Sequence, residues 1–499
     1  MVNRFHTAPL IYAAVGVAFG FYVLGSLMFS VTLAVMFVLV IALSLFRVLS
    51  LFDPNSRQFR LMEVYSVVFA AGLCVGISAQ AASVNNVKFG ITEEKIVAIN
   101  GVLLEDPRII SGGKAMASVS LKKAAGAGGL RVSSSGELTV FFPEDSSVKI
   151  REFGRGTEIF AEGSIYSGKN GRTFSAQSMH ITKQASPVEK MRTGVRLNLI
   201  QRFSKNFAKG SSFTNVNAGG LALAMLIGIK DNLDTDLAAM YRNAGLSYVL
   251  ALSGMHLAVI AAIIAFLLRK LLGIKAAAIT GAAIITAYCF IVGPMPSLNR
   301  AALMYFLGVL AILGTLPKES ISVLALSFII QIIITPASGN SISFILSYLA
   351  MLGILIIGKP LASLFAGKIP DFILQPLAVS CGAFLATAGV TCFTFGVIAP
   401  AGIITGLIIV PAATLFMIGS IIWLILDMVS LSGIINIPLS LLYQFTEKTV
   451  FFAGRIPHIT VSKPFSFLVL SLVLSFAIIF IEYRSREKRL KLRPFYSEV

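Results

Sequence analysis

The hydrophobic pattern divides the chain into a short apolar part, a polar middle and a long apolar part. Residues 9–49 are predicted to form two uncleaved spanning helices that turn near Gly25, and a third helix is predicted over residues 64–82. Residues 218–483 are nearly continuous apolar helix, interrupted by turns such as that at Arg269 and Lys270. We therefore expect an α-helical polytopic membrane protein with about 10–12 spans. The short pieces at residues 219–230 and 400–411 are expected to be re-entrant or discontinuous.

The polar middle, residues 83–186, carries the alternation that is typical of β-strands. Residues 137–141 alternate between polar and apolar, and residues 167–171 form a hairpin turn signal. About five strands with no helix between them favour a small barrel of the oligonucleotide-binding (OB) type. The predicted strands cover residues 95–104, 115–121, 136–142, 157–165 and 172–181.

A basic amphipathic helix is predicted directly after this β domain, over residues 187–212. Apolar residues recur there at helical spacing between the basic ones, which is typical of a helix on the membrane surface. Two interpretations stay open, a lipid-facing anchor and a basic ramp that feeds phosphates toward a channel. The basic residues are Lys190, Arg192, Arg196, Arg202, Lys205 and Lys209.

Composition excludes a soluble globule. The 499 residues are 56% hydrophobic and 13% charged, with a mean hydropathy of +0.85. The net charge of +18 permits a nucleic-acid partner without demonstrating one, because lysine and arginine also gather at cytoplasmic helix ends. We divide the chain into N-terminal helices (1–82), the β domain (83–186), the interfacial helix (187–212), a helical core (213–483) and a basic tail (484–499).

The basic loops predict the orientation of the chain in the membrane. Arg4, the loop with Arg47, Arg57 and Arg60, and the tail from Arg484 belong in the cytoplasm. The third helix then carries the chain outward, so the β domain is expected to be extracytoplasmic and the C-terminus cytoplasmic.

The residues predict neither a catalytic site nor a metal or cofactor site. The four cysteines lie in apolar runs without a C-x-x-C pair, and the four histidines are isolated. Ser253 and His256 share a helix face, but neither motif around them supplies the Asp or Glu that would orient a hydrolase histidine. A Walker-type phosphate loop is also missing from the sequence. We therefore expect a protein that is not an enzyme.

Two stretches place polar residues where the sequence should lie in lipid, at residues 242–257 and 288–304. Polar groups at membrane depth are costly and mark a conduction path or a binding site. An arginine in such a place has two interpretations. It binds phosphate through two parallel N–H groups, or it lies at a helix end and its side chain reaches the membrane interface. The candidate path residues are Arg242, Ser253, Gly254, His256, Pro296, Asn299, Arg300 and Ser347.

These stretches resemble the central motifs of the ComEC-type competence family, inner-membrane proteins that pass single-stranded DNA into transformable bacteria. Residues 245–256 are similar to the family signature G-L-S-H-L-L-A-I-S-G-L-H, and the E-D-P-R at residues 105–108 looks like the family's N-terminal domain. Further matches to the family are Gly293, Pro296, Ser297, Arg300, Ala301, Met304, Phe344, Leu346, Ser347 and Ala350.

The chain departs from the family pattern at four positions where the family commonly has a polar side chain. Tyr248 and Gly396 stand where it has His, Ile345 where it has Gln, and Gly406 where it has Asn. The residues also contain no H-x-H-x-D-H pattern, so we expect a short form without the metallo-β-lactamase-like nuclease domain that many members carry.

The resemblance implies a channel in the bacterial inner membrane that takes up single-stranded DNA during natural transformation. It also implies partners besides the DNA and the bilayer: an extracytoplasmic DNA receptor, a separate nuclease and a cytoplasmic ATPase. The competing hypotheses are a diverged transporter or flippase for a small anionic or lipid substrate on the same scaffold, and a structural membrane scaffold.

Overall fold

The structure is a computed structural model that describes most of the chain. The described residues are 8–24, 57–83, 87–109, 114–126, 131–143, 154–168, 171–205, 207, 216–250, 252–314, 319–456, 459–460 and, between 469 and 481, all but 472, 476 and 479. The predicted turn near Gly25, the side chain of Lys209 and the basic tail lie outside them.

The β domain is a closed barrel of five strands, which confirms the OB-like prediction. The ring runs β1–β6–β7–β5–β3 and closes through pairing of β3 with β1. Strands β5 and β7 pair in parallel, whereas the other pairs are antiparallel. Alternate side chains of β3 and β5 are buried, because every second residue faces the barrel interior. The strands are β1 Ile96–Leu103, β2 Arg108–Ile109, β3 Ala115–Gly126, β4 Arg131–Ser133, β5 Glu137–Phe142, β6 Glu158–Gly168 and β7 Gly171–Lys183.

Helices form most of the remaining described chain, and six helical segments are long and apolar enough to cross a membrane, one of which is the continuous run Ile342–Phe365 formed by α11, a π-helical turn and α12. The helices are α1 Ala8–Phe19, α2 Arg57–Ser83, α3 Pro187–Lys205, α4 Val216–Ile227, α5 Thr235–Asn243, α6 Ser247–Leu250, α7 Gly254–Val292, α8 Pro296–Leu313, α9 Ser320–Ile334, α10 Pro336–Gly339, α11 Ile342–Gly353, α12 Lys359–Phe365, α13 Asp371–Phe395, α14 Ala401–Met428 and α15 Gly433–Gly454. A two-stranded sheet joins β8 Val397–Ile398 to β9 Ile459–Thr460.

Helices α1 and α2 pack closely through glycines and run parallel. A Cβ at Gly16 would lie 2.3 Å from the carbonyl oxygen of Phe69, and one at Gly20 would lie 2.5 Å from that of Leu73. Small residues allow helix backbones to approach to this distance in a membrane. Because the contacts advance in the same direction along both helices, the end of α1 and the start of α2 lie on opposite sides of the bundle.

Helix α7 is a helical hairpin. Gly273 has a φ of 76° and a ψ of 175°, which no helix accommodates. A straight helix of 39 residues would be about 58 Å long, yet the Ser297 hydroxyl, beyond its far end, donates to the carbonyl of Leu252 at 2.8 Å. The predicted turn at Arg269 and Lys270 is thus present, and it brings the two polar motifs to one end of the bundle.

The expected discontinuity at residues 400–411 is wrong. Helix α14 has 28 residues and continues without a break past Pro411. Lipid offers no hydrogen-bond partner to the backbone, so an unbroken helix is favoured there. Helix α4 has only 12 residues, which is about 18 Å and shorter than a bilayer. The total of about 10–12 spans stays a prediction.

A carboxylate of the barrel joins it to the helices. Asp106, in the loop before β2, forms ion pairs with Arg192 and with Arg196 Nε, the latter at 3.1 Å. Arg196 Nη1 also donates to the carbonyl of Val292 at 2.6 Å, at the end of α7. We call Asp106, Arg192 and Arg196 the junction clamp. It fixes the barrel on the end of the bundle that carries both polar motifs.

Neighbouring groups keep the Asp106 carboxyl ionised. Burial by itself would raise its pKa, but Arg196, the backbone N–H of Arg155 and Arg192 lower the pKa below its usual value. A carboxyl whose pKa is lowered in the folded state stabilises that state above its unfolded pKa of about 3.9 and loses this contribution as the pH falls further. The clamp is therefore fully formed at neutral pH.

The first prediction concerns which sides of the membrane the barrel and the α7 turn face. Single cysteines at Ser133, exposed on β4, and at Lys270, exposed on the turn, are introduced into a chain whose four native cysteines are replaced. A membrane-impermeant thiol reagent should modify the Ser133→Cys variant in intact spheroplasts, and the Lys270→Cys variant only after permeabilisation. Equal labelling of both in intact spheroplasts would contradict this arrangement.

The second prediction tests the junction clamp through Gly154. A Cβ there would lie 2.6 Å from both Asp106 Oδ1 and Thr193 Oγ1, so Gly154→Ala should destabilise the protein by about 1–3 kcal/mol. The control is Gly194→Ala on α3, where a Cβ meets nothing within 4 Å and helix propensity should add about 1 kcal/mol. Thermal unfolding of both variants in detergent gives the comparison. A Gly154→Ala midpoint equal to that of the unsubstituted protein would show that Gly154 is not required there.

Candidate functional site

Ser253 and His256 form the start of α7. Ser253 is the N-cap, and its backbone N–H donates to His256 Nδ1 at 3.0 Å while its hydroxyl lies 3.1 Å from the same nitrogen. The two residues thus form a reciprocal cap in which histidine replaces the usual acid. The spacing of three residues that the sequence shows is the spacing that this cap requires.

The cap also determines where the imidazole carries its proton. Because Nδ1 accepts from the backbone N–H, a neutral ring carries its hydrogen on Nε2. His256 is 1% exposed, and Nε2 has no hydrogen-bond partner among the described residues. The cap therefore leaves the buried His256 Nε2–H without an acceptor in the described part of the chain. This donor lies beside the N-terminus of α7, which attracts negative charge as well.

Arg300 lies against this helix start. Its side chain is 7% exposed, its Nε has no hydrogen-bond partner, and no acidic side chain in the described part of the chain pairs with it. A Cβ on Gly254 would lie 3.1 Å from Arg300 Nη2, so the glycine lets the guanidinium reach the helix start. A buried cation without a counterion is unfavourable, which makes this guanidinium the strongest candidate for an anion-binding group.

Two side chains that sequence reasoning missed lie beneath Arg300. The guanidinium carbon lies 5.7 Å from the centre of the Tyr348 ring, a cation–π arrangement. The Tyr348 hydroxyl donates to Gln331 Oε1 at 3.0 Å, and Gln331 Nε2 donates to the carbonyl of Pro296 at 3.5 Å. Tyr348 could have been found in the sequence because it follows Ser347, one of the residues that match the family. Gln331 lies outside those motifs, and its neighbours in the sequence do not point to it.

The remaining predicted path residues are less central. Pro296 begins α8 and supplies the carbonyl that Gln331 contacts, and Asn299 is half-buried one position before Arg300. Ser347 is half-buried on α11, but its neighbour Tyr348 is the residue that Arg300 contacts. Arg242 is exposed in the last turn of α5, outside the cluster of Ser253, His256 and Arg300.

The basic helix α3 turns its arginines into the protein. Arg192 is 1% exposed within the junction clamp, Arg196 caps the end of α7, and Arg202 pairs with Asp427 at 2.7 Å. Half-buried carboxylates and helix carbonyls already bind these guanidinium groups, which favours the interpretation of α3 as an anchor over that of an open ramp. Exposed Lys190 bonds the Gln184 side chain, and only the backbone of Lys205 is described.

Two of the departures from the family pattern meet in space. A Cβ on Gly406 would lie 2.8 Å from the Tyr248 hydroxyl, so the larger side chain on α6 occupies the space that glycine leaves on α14. Gly396 ends α13 with a φ of 69°, a conformation that favours glycine at a helix end. Ile345 is half-buried on α11.

Comparison with known proteins identifies the helical core. The family described as Competence protein matches residues 225–486, which confirms the resemblance to ComEC-type proteins. An uncharacterized protein of Aquifex aeolicus (strain VF5) is 32% identical over 169 residues, which are 34% of this chain and 38% of that protein. The chain thus covers less than half of that relative's length.

The family model covers more than half of the chain and includes both polar motifs. The family takes part in DNA uptake and is of a channel or transport type. Together with the six apolar helices, this indicates a multi-pass protein of the inner membrane. The chain belongs to the competence protein family.

Proposed function

We propose that this protein is the inner-membrane channel through which single-stranded DNA passes during natural transformation. The observation that carries the proposal is the buried Arg300 guanidinium, which meets no acidic side chain among the described residues. In this proposal the negative charge that it lacks is supplied by the phosphates of the passing strand. Contact with phosphate through two N–H groups is the chemistry that a guanidinium provides best.

The donors around Arg300 suit a phosphate. His256 Nε2–H and Arg300 Nε–H are both buried and unused, and the amide groups at the start of α7 add positive potential. A moving strand requires contacts that are favourable but incomplete, so that each phosphate enters and leaves the site. In this proposal the two donors and the helix end supply such contacts. Ser253, Gly254, Pro296, Asn299 and Ser347 form the neighbourhood of the path.

The position of the barrel supports the same function. The junction clamp fixes an OB-like barrel directly on the end of the bundle that contains Ser253 and Arg300. Barrels of this type bind oligonucleotides on one face. A strand held by the barrel therefore reaches the helical core at its polar end.

The basic turn of the hairpin α7 supports an orientation in which the barrel lies outside the cytoplasm. Its turn carries exposed Arg269, Lys270 and Lys275 at the end away from the barrel, and basic turns lie in the cytoplasm. The barrel is then extracytoplasmic. In this position it meets an extracytoplasmic DNA receptor, while a separate nuclease removes the second strand and a cytoplasmic ATPase supplies the driving force. The chain itself acts without catalysis.

The third prediction tests the path directly. Arg300→Ala and His256→Ala should each abolish DNA internalisation and leave protein level and surface DNA binding unchanged, because receptor capture precedes the membrane step. Arg300→Lys should restore uptake only in part, since a single ammonium replaces a forked donor. Transformants and nuclease-protected labelled DNA are counted in each strain.

The matched control is Arg269→Ala, which removes the same charge from the exposed turn of α7 and should transform normally. A parallel fall of protein level and uptake in the Arg300→Ala strain would mean that Arg300 serves helix packing. Normal uptake in both alanine variants would remove these residues from the path. A deletion strain that transforms normally would contradict the proposal and favour the transporter or flippase for a small anionic or lipid substrate.

A further inference from the structure

The loop after α4 adjoins both polar motifs. Gly228 has a φ of 72°, and a Cβ there would lie 2.5 Å from the Met295 side chain and 3.7 Å from that of Leu252. These neighbours directly precede Pro296 and Ser253. Lys230, two residues beyond Gly228, is exposed beside the start of the proposed path.

Arg108 and Arg242 lie around Lys230, each on a different element. Arg108 lies two residues after Asp106, whose partner Arg196 donates to the carbonyl of Val292, and Gly228 contacts Met295, three residues after Val292. Partial burial lowers the pKa of Lys230, and the positive charges of Arg108 and Arg242 lower it further. Arg108 belongs to β2 of the barrel, whereas Arg242 lies in the last turn of α5. Strand, loop and helix thus bring three cations together where the barrel meets the bundle.

The local acids leave this positive charge largely uncompensated. Arg108 pairs with Glu105 at 2.7 Å and remains half exposed. Lys230 and Arg242 form no ion pair with any acid in the described part of the chain. Of the carboxylates at the junction, Asp106 is held by the clamp, and Asp231 contributes negative charge near Arg196. Like charges held together without counterions are typical of a surface that binds a polyanion.

We infer that Lys230, Arg242 and Arg108 form a phosphodiester-binding patch that takes the backbone of a single strand immediately before it reaches Arg300. The inference rests on the proposed function and adds to it the place where the strand passes from barrel to bundle. A nucleic-acid backbone fits better than a lipid headgroup, because one of the three cations is carried by the soluble barrel. Exposure distinguishes these residues from the buried arginines of α3.

The experiment measures binding of a fluorescent single-stranded oligonucleotide to the full chain in nanodiscs of neutral phosphatidylcholine, over a series of salt concentrations. The double variant Lys230→Gln/Arg242→Gln should bind more weakly. Its slope of log affinity against log salt should be smaller by about 1.4, because each phosphate that a cation neutralises adds about 0.7 to the slope. Lys230→Arg keeps the charge and should retain the slope.

The matched control is Arg269→Gln/Lys270→Gln, which removes two exposed charges from the α7 turn at the other end of the bundle. An unchanged slope in the patch variant, an equal decrease in the control, or no binding by the unsubstituted chain would overturn the inference. So would a patch variant that keeps the salt slope for DNA but binds less phosphatidylglycerol than the unsubstituted chain in nanodiscs that also contain this lipid, because the patch would then be a lipid headgroup site.

Transformation separates this inference from the proposed function. If deletion of the gene abolishes DNA internalisation while the patch variant binds and internalises DNA like the unsubstituted protein, only the inference fails. If the deletion strain transforms normally, the proposed function fails, whatever the patch binds in nanodiscs.

Discussion

The arrangement of the barrel and the bundle depends on the ion pairs that the Asp106 carboxylate forms. The carboxylate holds Arg192 and Arg196 of α3, and through Arg196 it reaches the last carbonyl groups of α7. A buried ion pair contributes little net stability, but removing one partner costs about 3–5 kcal/mol. Its value here is geometric, because it fixes the barrel on the polar end of the bundle.

The same physical rule explains why Arg300 stands apart from the arginines of α3. Arg192, Arg196 and Arg202 are buried or half-buried and each has a carboxylate partner. Arg300 is also buried, and among the described residues it lies against the face of Tyr348 and the space at Gly254, with no acidic partner. Among the described residues the fold compensates three arginines and leaves a fourth uncompensated, and the proposed function assigns that fourth charge to an anion outside the chain.

The sequence predicts those parts of the fold that depend on local patterns. Alternation over residues 137–141 predicted β5 correctly, and the basic pair at Arg269 predicted the α7 turn within a few residues. Contacts between distant segments leave no such pattern. Asp106 and Arg192 are 86 residues apart, and Gln331 reaches Pro296 across 35 residues. The partners of the α3 arginines were missed for this reason, since they lie on other elements.

The central claim is that DNA passes the end of the bundle where Ser253 and Arg300 meet, and photo-crosslinking during uptake tests it most directly. A photoreactive phenylalanine is placed at Met255, within the motif, or at Phe266, whose side chain is 80% exposed on the outer surface of the same hairpin. Cells take up labelled DNA and are irradiated. The account predicts a protein–DNA crosslink from position 255 and none from position 266. Crosslinking from neither position in cells that internalise DNA, or from position 266 alone, would contradict it.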